Sequence, residues 1–157
     1  MKKQVLSTLL AVTLAASMTV FVSCDLNKDE QAKALIGTWV GEGEELTFSD
    51  GSFEMREEGT PQIKGTYTVS GNTLTMTATH MWGSLFEDFG LETKWYSKAE
   101  IKTIIKQALE FTGQQWTADV DKAFEEEFTQ KCTFAVNGNT LTITQEGSSS
   151  GSTYTRK

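Results

Sequence analysis

The stretch Tyr67-Thr-Val-Ser-Gly-Asn-Thr-Leu-Thr-Met-Thr77 decides the fold, and the chain contains it twice. The second copy, Phe134-Ala-Val-Asn-Gly-Asn-Thr-Leu-Thr-Ile-Thr144, aligns with the first without gaps. In both copies apolar residues alternate with threonine on either side of a Gly-Asn pair. This period of two around a turn predicts a β-hairpin with one buried and one solvated face.

A third hairpin is predicted at Asp50-Gly51, between two more alternating runs. An even number of short antiparallel strands favours an up-and-down barrel, because closure leaves no unpaired edge. A sandwich of two sheets is the alternative. We therefore expect a mainly β fold, an eight-stranded antiparallel up-and-down β-barrel with a helical insertion between strands five and six. The strands are expected at residues 37–41, 44–49, 52–57, 63–69, 73–80, 131–136, 140–145 and 152–156.

The predicted turns differ between the two ends of this barrel. Asp50-Gly51, Gly71-Asn72 and Gly138-Asn139 are tight and fall at one end. The opposite end carries Glu42-Gly43 and three longer connections, at residues 58–62, 81–130 and 146–151. A pinched base and an elaborated mouth are typical of a ligand-holding barrel.

The insertion at residues 81–130 is predicted to be helical. Ser97-Lys-Ala-Glu100 has the spacing of a capping box, and Gly113 is a stop signal for the helix that follows. A second helix is predicted after Thr117. Nine of the sixteen aromatic residues fall in the insertion, so we expect it to bury them by folding over the barrel mouth as a lid or partial plug. A helical layer on the outer wall is the alternative.

Alternation assigns fourteen residues to the barrel interior, and they are almost wholly apolar. This composition fits a cavity for an apolar or amphipathic molecule, and it also fits a packed core. The expected inward residues are Trp39, Leu46, Phe48, Phe53, Met55, Tyr67, Val69, Leu74, Met76, Phe134, Val136, Leu141, Ile143 and Tyr154.

The charge of the chain excludes some partners. The 157 residues carry a net charge of −7, and without Lys2 and Lys3 there are 12 basic residues against 21 acidic ones, a net charge of −9. Such a surface argues against nucleic acid and against a polybasic membrane contact. Two acidic runs, Glu42-Gly-Glu44-Glu45 and Glu125-Glu126-Glu127, lack the spacing of a calcium loop. We interpret both as solvated, and we expect neither a metal nor a cofactor.

The N-terminus has the pattern of a secretory signal. Lys2 and Lys3 form a positive head, and an apolar run from Val5 to Val22 leads to Ser23 and Cys24. If Cys24 carries lipid, Cys132 is the only remaining cysteine and no disulfide forms within the chain.

This signal resembles the lipobox of bacterial lipoproteins. The resemblance implies cleavage before Cys24 and attachment of acyl chains to it, so that the membrane is contacted through the anchor only. It divides the chain into a signal peptide (1–23), the lipidated cysteine with a polar tether (24–34) and the barrel (35–157). We expect a cell-envelope location, most simply the outer membrane. The acidic residues after Cys24 resemble both a surface-export signal and an inner-membrane retention signal, which leaves the membrane face open.

Gly37-Thr38-Trp39 and Arg156 resemble the lipocalin and calycin pattern. There a Gly-x-Trp on the first strand is covered by an arginine from the last strand, at the closed base of an eight-stranded barrel. Small lipocalin-like lipoproteins of bacteria are similar to this chain over residues 35–80 and 131–156, including the Leu35-Ile-Gly-Thr-Trp39 opening. The resemblance implies that Gly37, Trp39 and Arg156 form the base. The insertion departs from the pattern, because that turn is usually short.

His80 and Cys132 are candidates for a pair near the mouth. His80 continues the row of Leu74 and Met76, and Cys132 continues that of Phe134, so both are expected to face inward close together. A Cys–His pair can generate a nucleophilic thiolate, but the sequence shows no third group that would orient it. We expect these two residues to line a pocket, and we predict no catalytic residue.

The function predicted from the sequence is therefore binding of a small apolar or amphipathic ligand by an envelope-anchored barrel, without enzymatic activity. The expected ligand-binding residues are Tyr67, Met76, His80, Trp82, Cys132 and Phe134. A packed barrel that binds an unknown protein partner as an adhesion or inhibitor domain is the alternative. A barrel hydrolase or isomerase is the third hypothesis.

Overall fold

The computed structural model describes residues 28–157, so the signal peptide and Cys24 lie outside the described residues. The chain forms three α-helices, one 3-10 helix and nine strands. In chain order these are α1 (Lys28–Leu35), β1 (Gly37–Val40), β2 (Glu44–Ser49), β3 (Ser52–Glu57), β4 (Thr60–Ser70), β5 (Thr73–Trp82), the 3-10 helix (Gly83–Phe89), β6 (Trp95–Ser97), α2 (Lys98–Phe111), α3 (Ala118–Glu127), β7 (Thr129–Asn137), β8 (Thr140–Gln145) and β9 (Gly151–Arg156).

Eight of the strands close into an antiparallel up-and-down barrel. Each pairs with its neighbour in the order β1-β2-β3-β4-β5-β7-β8-β9, and β9 returns to β1. The seam between the first and last strands is short, with Trp39 opposite Arg156 and Val40 opposite Thr155. The predicted fold class is confirmed, including the helices between the fifth and sixth barrel strands. The additional strand outside the barrel, β6, was not predicted.

The interior of the barrel is apolar and aromatic. All fourteen residues that alternation placed inside belong to one buried cluster or pack against it. Leu35 and Cys132 join them. The aromatic rings contact one another, as in the edge-on pair Phe48 and Tyr67, with centroids 5.2 Å apart. An eight-stranded barrel is just wide enough to be filled in this way.

Helix α1 lies across the closed end of the barrel. The tight turns at Asp50-Gly51, Gly71-Asn72 and Gly138-Asn139 form this end, as predicted. The helix contacts β4 and β7, which lie on the far side of the barrel from β1. The chain then crosses the closed end and begins β1 at Gly37. Residues 28–34 were assigned to a polar tether, but they form most of this helix. Their Ala- and Lys-containing sequence favours a helix. The helix ends in Leu35, which is fully buried.

Arg156 and Trp39 join the last strand, the first strand and this helix. The guanidinium of Arg156 stacks on the indole of Trp39, 4.2 Å from its centroid. It donates to Ala34 O at 2.7 Å and to Ile36 O at 2.9 Å, while Trp39 Nε1 donates to Leu35 O at 2.7 Å. Three carbonyls at the end of α1 are thereby satisfied, next to a positive charge that suits the helix C-terminus.

Gly37 is required by this arrangement. Its φ of +137° is rarely adopted by other residues, and a Cβ there would stand 2.8 Å from Nη1 of Arg156. The base residues that the resemblance implied therefore meet in the structure.

Two β-bulges reshape the mouth of the barrel. On β5 the register shifts at Thr79, so that Ala78 faces Gly65 but His80 faces Lys64. On β4 an extra residue, Gln62, is inserted opposite β3. A bulge changes which residues point inward beyond it, and after Thr79 the buried residue is Met81.

The upper part of β5 changes its pairing partner. Residues Thr73 to Thr77 pair with β7, whereas His80 to Trp82 pair with β6. The wall of the mouth is therefore extended by β4, β5 and β6. The connection between β3 and β4 is a tight turn at Glu58-Gly59, and the longer loop predicted at residues 58–62 is not formed, because β4 begins at Thr60.

Helices α2 and α3 cover the inner face of this extension. Their residues Ile101, Phe124 and Phe128 form a second buried cluster with Met81 and Tyr96. Ile63 contacts both this cluster and the barrel core. The helices therefore lie on the mouth side of the barrel, where Phe86, Phe124 and Phe128 of the insertion are buried. Phe111, at the end of α2, is 93% exposed, so the expected burial of the insertion's aromatic residues is incomplete. Within residues 28–157, no helix has both the length and the apolar character needed to span a bilayer.

We expect Arg156→Ala to lower the free energy of unfolding by about 1–3 kcal/mol, because it removes the stack and leaves two helix carbonyls without their donor. Urea unfolding followed by tryptophan fluorescence measures the change. Arg156→Lys should recover only part of it, since one ammonium cannot both stack and reach two carbonyls. Lys157→Ala, next in the chain and exposed, is the control and should change stability little. Equal stability of Arg156→Ala and the natural protein would contradict this account of the base.

Candidate functional site

The inward-facing rows become polar at the mouth. On β2 the row of Phe48 and Leu46 ends in Glu44, and on β9 that of Tyr154 ends in Ser152. The rows on β7 and β8 end in Gln130 and Gln145 in the same way. These four residues, Glu44, Gln130, Gln145 and Ser152, are called the polar collar below. All of them are buried or half-buried.

Tyr154 links the apolar core to the collar. Its hydroxyl donates to Glu44 Oε2 at 2.7 Å, and its ring lies against Gly41, where a Cβ would stand 2.6 Å from Cδ1. Burial, followed by the hydrogen bond and the charge of Glu44, raises the pKa of the Tyr154 hydroxyl well above its usual value. Tyr154 therefore remains a protonated donor that orients the carboxylate of Glu44 at all ordinary pH values.

Ser152 has a buried hydroxyl without a hydrogen bond. The residue is 8% exposed, and its Oγ makes no hydrogen bond of good geometry within residues 28–157. It lies close enough to the Tyr154 hydroxyl to oppose part of the rise in that pKa. Ser152 faces Ile143 on β8, which in turn faces Phe134 on β7. A polar atom is thus held beside an apolar surface.

Gln62 is a second buried polar residue near the mouth. It lies at the bulge of β4, is 9% exposed, and its Oε1 has no partner among the described residues. Three strands separate β4 from β9 in either direction around the barrel, so Gln62 and Ser152 belong to opposite walls. Buried polar groups without partners are uncommon in native proteins. Two of the three among the described residues lie near the mouth, and the third, Gln31 Oε1, belongs to α1 at the base. The mouth, which also carries the collar, is therefore the candidate site.

The ligand-binding residues predicted from the sequence divide into three groups. Tyr67, Met76, Cys132 and Phe134 lie in the barrel core. Tyr67 is closest to the base, next to the Asp50-Gly51 turn, and burial raises the pKa of its hydroxyl. Met76 stands opposite Tyr67 on one side and opposite Gln130 of the collar on the other, and Phe134 stands opposite Ile143. These two can form the apolar floor of a site at the mouth.

His80 and Trp82 lie on the opposite face of the sheet from that predicted. Alternation was carried through Thr79, but the bulge there reverses it, so that Met81 is inside and its neighbours are outside. His80 accepts or donates a hydrogen bond with Thr79 Oγ1 at 3.0 Å. Trp82 contacts Trp95 edge-on, with centroids 5.1 Å apart, and Lys64 lies over Trp95.

Cys132 and His80 do not form a pair. Cys132 faces Leu74, six residues from His80 along β5, a separation of roughly 20 Å. The two residues were expected to meet at the mouth, but β7 begins opposite Thr77 and β6 takes its place above that point. Burial raises the pKa of the Cys132 thiol to about 11, which opposes formation of a thiolate. Among the described residues, no cluster of three or more His, Cys, Asp or Glu side chains could hold a metal ion.

Ion pairs hold the two helices of the cover together. Lys98 contacts Glu125, and Lys102 contacts both Glu125 and Asp121. Trp116 Nε1 also donates to Asp121 at 2.8 Å. These contacts lower the pKa values of Asp121 and Glu125, in each case chiefly through the lysine that donates to the carboxylate. The acidic run at residues 125–127 is thus partly used within the cover.

The collar was missed in the sequence because alternation was followed only as far as the apolar residues extended. Glu44 belonged to a run interpreted as solvated, and Gln130, Gln145 and Ser152 were not considered. Continuing each inward row by two residues toward the mouth would have found all four. The two bulges had weaker signals that were not used: Pro61 precedes the extra residue Gln62, and Gly65 lies in a strand interior opposite the bulge of β5.

We expect Ser152→Ala to raise the free energy of unfolding by about 1 kcal/mol, because it removes a buried hydroxyl that has no partner. Thermal and urea unfolding of the two proteins measure the difference, with the exposed Thr153→Ala on the same strand as control. A loss of stability in Ser152→Ala would show that the hydroxyl is satisfied and would remove it from the site.

We expect acid to loosen the helical cover before the barrel. Because the pKa values of Asp121 and Glu125 are lowered by folding, their stabilising effect is complete above the ordinary values of 3.8 and 4.5 and is lost as the pH falls through the lower folded values. Amide hydrogen exchange, corrected for its intrinsic pH dependence, should accelerate more in α2 and α3 than in β7–β9 between about pH 6 and about pH 3. Equal acceleration in both regions would contradict the prediction.

Comparisons of the chain with protein-family models, with curated proteins and with solved structures find no match. The function is therefore argued from the geometry of the barrel and its collar.

Proposed function

We propose that this protein is a lipid-anchored lipoprotein of the cell envelope, similar to lipocalins, whose barrel mouth binds a small amphipathic ligand. The apolar part of the ligand lies against Phe134, Ile143 and Met76, and its polar part meets the collar. The protein acts as a carrier or sensor and not as an enzyme.

The observation that carries this proposal is the unpartnered hydroxyl of Ser152. A buried hydroxyl without a hydrogen bond costs about 1–3 kcal/mol. It stands in register with Ile143 and Phe134, so a ligand that satisfies it also covers apolar side chains. Pockets for small molecules combine these two features, a mostly apolar lining and a few placed polar groups.

The position of the ligand follows from the two buried clusters. The lower cluster includes the side chains of Trp39, Phe48 and Tyr67, which fill the base of the barrel. The base therefore has no room for a ligand. The upper cluster belongs to the cover. The collar lies at the mouth, between them. A ligand there is bounded below by the barrel core and above by the helices.

The sequence supports the anchor. Its positive head, apolar run and Ser23-Cys24 junction resemble the lipobox, and several acyl chains on one cysteine give a stable membrane attachment. We place the protein in the outer membrane on this basis. The separation of His80 from Cys132, together with the raised pKa of the thiol, supports a binding role over a catalytic one.

A neutral apolar fluorophore tests the proposed site. N-phenyl-1-naphthylamine should bind residues 25–157 with a saturable 1:1 rise in fluorescence. These residues retain every contact described above. Ser152→Phe fills the collar and should reduce the affinity at least about tenfold. Thr153→Phe places the same ring on the exposed outer face of β9 and should bind like the natural protein.

Circular dichroism and urea unfolding would show that both phenylalanine variants remain folded. Native mass spectrometry of the protein purified without detergent should also reveal an added mass that is lost on denaturation. Absence of dye binding and of added mass would overturn the proposal and favour a packed barrel that binds a protein through its surface. Equal dye binding by the two variants would move the ligand away from the collar.

A further inference from the structure

Two glutamates stand directly opposite each other at the mouth. Glu44 on β2 pairs with Glu57 on β3, and both belong to inward rows, the first with Leu46 and the second with Met55. Like charges at directly opposed positions of an antiparallel pair destabilise a sheet. A violation of a local rule of this kind is expected where a site takes precedence over stability.

The neighbouring turns add to this negative charge. Glu42 lies in the turn between β1 and β2, and Glu58 in the turn between β3 and β4. The two turns are joined, since Glu58 N donates to Gly43 O at 2.8 Å. The four carboxylates are thus collected on one side of the mouth by the backbone itself.

These carboxylates lack a cation of their own. Within residues 28–157, none of Glu42, Glu44, Glu57 and Glu58 forms an ion pair, whereas the nearby Arg56 contacts Glu54 and Lys157 contacts Glu45. Glu54 and Glu45 belong to the outward rows of their strands. Glu44 is half-buried, whereas Glu42, Glu57 and Glu58 are exposed at the rim of the mouth. The four therefore present uncompensated negative charge to a ligand that enters there.

Ser152 and Tyr154 independently indicate a ligand at the same place. Tyr154 donates to Oε2 of Glu44, which fixes the carboxylate and leaves Oε1 for a second donor. The Oγ of Ser152, two residues along the same inward row, is buried beside the Tyr154 hydroxyl and makes no hydrogen bond of good geometry among the described residues. Oε1 of Glu44 can only accept a hydrogen bond, and the Ser152 hydroxyl can accept one as well as donate one.

We infer that the collar binds the ammonium group of an amphipathic amine, with Glu44 as its principal partner and Glu57 and Ser152 as additional acceptors. This inference rests on the proposed function and specifies its ligand class. An ammonium has three donors and no acceptor, and Glu44, Glu57 and Ser152 can each accept a hydrogen bond from it. Phe134 and Ile143, in register with Ser152, take the apolar chain.

A bare metal ion fits the mouth less well than an amine. Calcium takes six to eight oxygen ligands, and the described residues contain no cluster of three acidic, histidine or cysteine side chains able to hold one. A metal would also make no use of the apolar surface beside Ser152. The organic cation uses both parts of the site.

Three ten-carbon amphiphiles test the inference by displacing N-phenyl-1-naphthylamine from residues 25–157 at neutral pH. Decylamine should displace the dye at a concentration about tenfold lower than decanol does, because a charge-assisted hydrogen bond is added to the same apolar contact. Decanoate should be the weakest, because its charge repeats that of the collar. The preference for decylamine should shrink with added salt.

Glutamine variants locate the effect. Glu44→Gln and Glu57→Gln should each reduce the preference for decylamine over decanol, and the double variant should bring the ratio of the two affinities below about threefold. Glu54→Gln removes the same charge from the outer face of β3 and should keep the tenfold preference. Retention of the preference in the double variant would overturn the inference.

The outcomes also separate this inference from the proposed function. Equal displacement by all three amphiphiles, or preference for decanoate, would refute the amine and leave a ligand-binding barrel. If neither the dye nor any amphiphile binds, both proposals fail. Binding of calcium in place of decylamine, measured by calorimetry, would likewise overturn the inference.

Discussion

The structure depends on how one guanidinium closes the barrel. The seam between the first and last strands is held by only two residue pairs, far fewer than any other join around the barrel. Arg156 of β9 strengthens that seam, because its side chain stacks on Trp39 of β1 and donates hydrogen bonds to carbonyls at the end of α1. The helix, the first strand and the last strand are thereby held as one unit. A closed seam is also what allows the interior rows to face one another and form a single core.

The bulge at Thr79 determines which residues of β5 face the interior near the mouth. By reversing the alternation of β5, it places Met81 under the helices and leaves His80 outside. It also lets one strand serve two partners, with β7 below and β6 above. The apolar residues of the molecule are consequently divided into a barrel core and a separate cluster beneath the cover. The two meet at Ile63 of β4, and the polar collar lies at the mouth ends of β2, β7, β8 and β9.

Much of the fold could be predicted because the chain follows simple rules over most of its length. The duplicated Gly-Asn hairpins show a clear period of two, which predicts strands. The capping box at Ser97 marks where α2 begins, and the turn after Phe111 marks where it ends. In the structure, Ser97 N donates to the Glu100 carboxylate and Glu100 N donates to Ser97 Oγ, as that motif requires. The base was predictable from Gly37, Trp39 and Arg156 through the resemblance to the lipocalin pattern, which implied that these residues meet at the closed end.

The candidate site was predictable only in part, because local patterns do not record where a strand changes partner. Cys132 was expected near the mouth since β7 was taken to follow the whole of β5, and three residues of β6 were enough to displace it. Glu44 was interpreted as solvated because it sits among other glutamates, although its row is continuous with Leu46 and Phe48. Its role depends on Tyr154, which is 110 residues away in the chain. Contacts over that distance arise from closure of the barrel and have no signature in the neighbouring sequence.

Helix α1 also determines which way the molecule would stand on a membrane. It brings the chain to the closed end, so α1 and the mouth are at opposite ends of the barrel. An anchor of the proposed kind at Cys24 precedes this helix by so few residues that their extended length is only about 14 Å. The base would then rest near the lipid headgroups, with the collar and its helices turned toward the aqueous side. A barrel held in this orientation exchanges its ligand with the surrounding solution, and not laterally with the bilayer that anchors it.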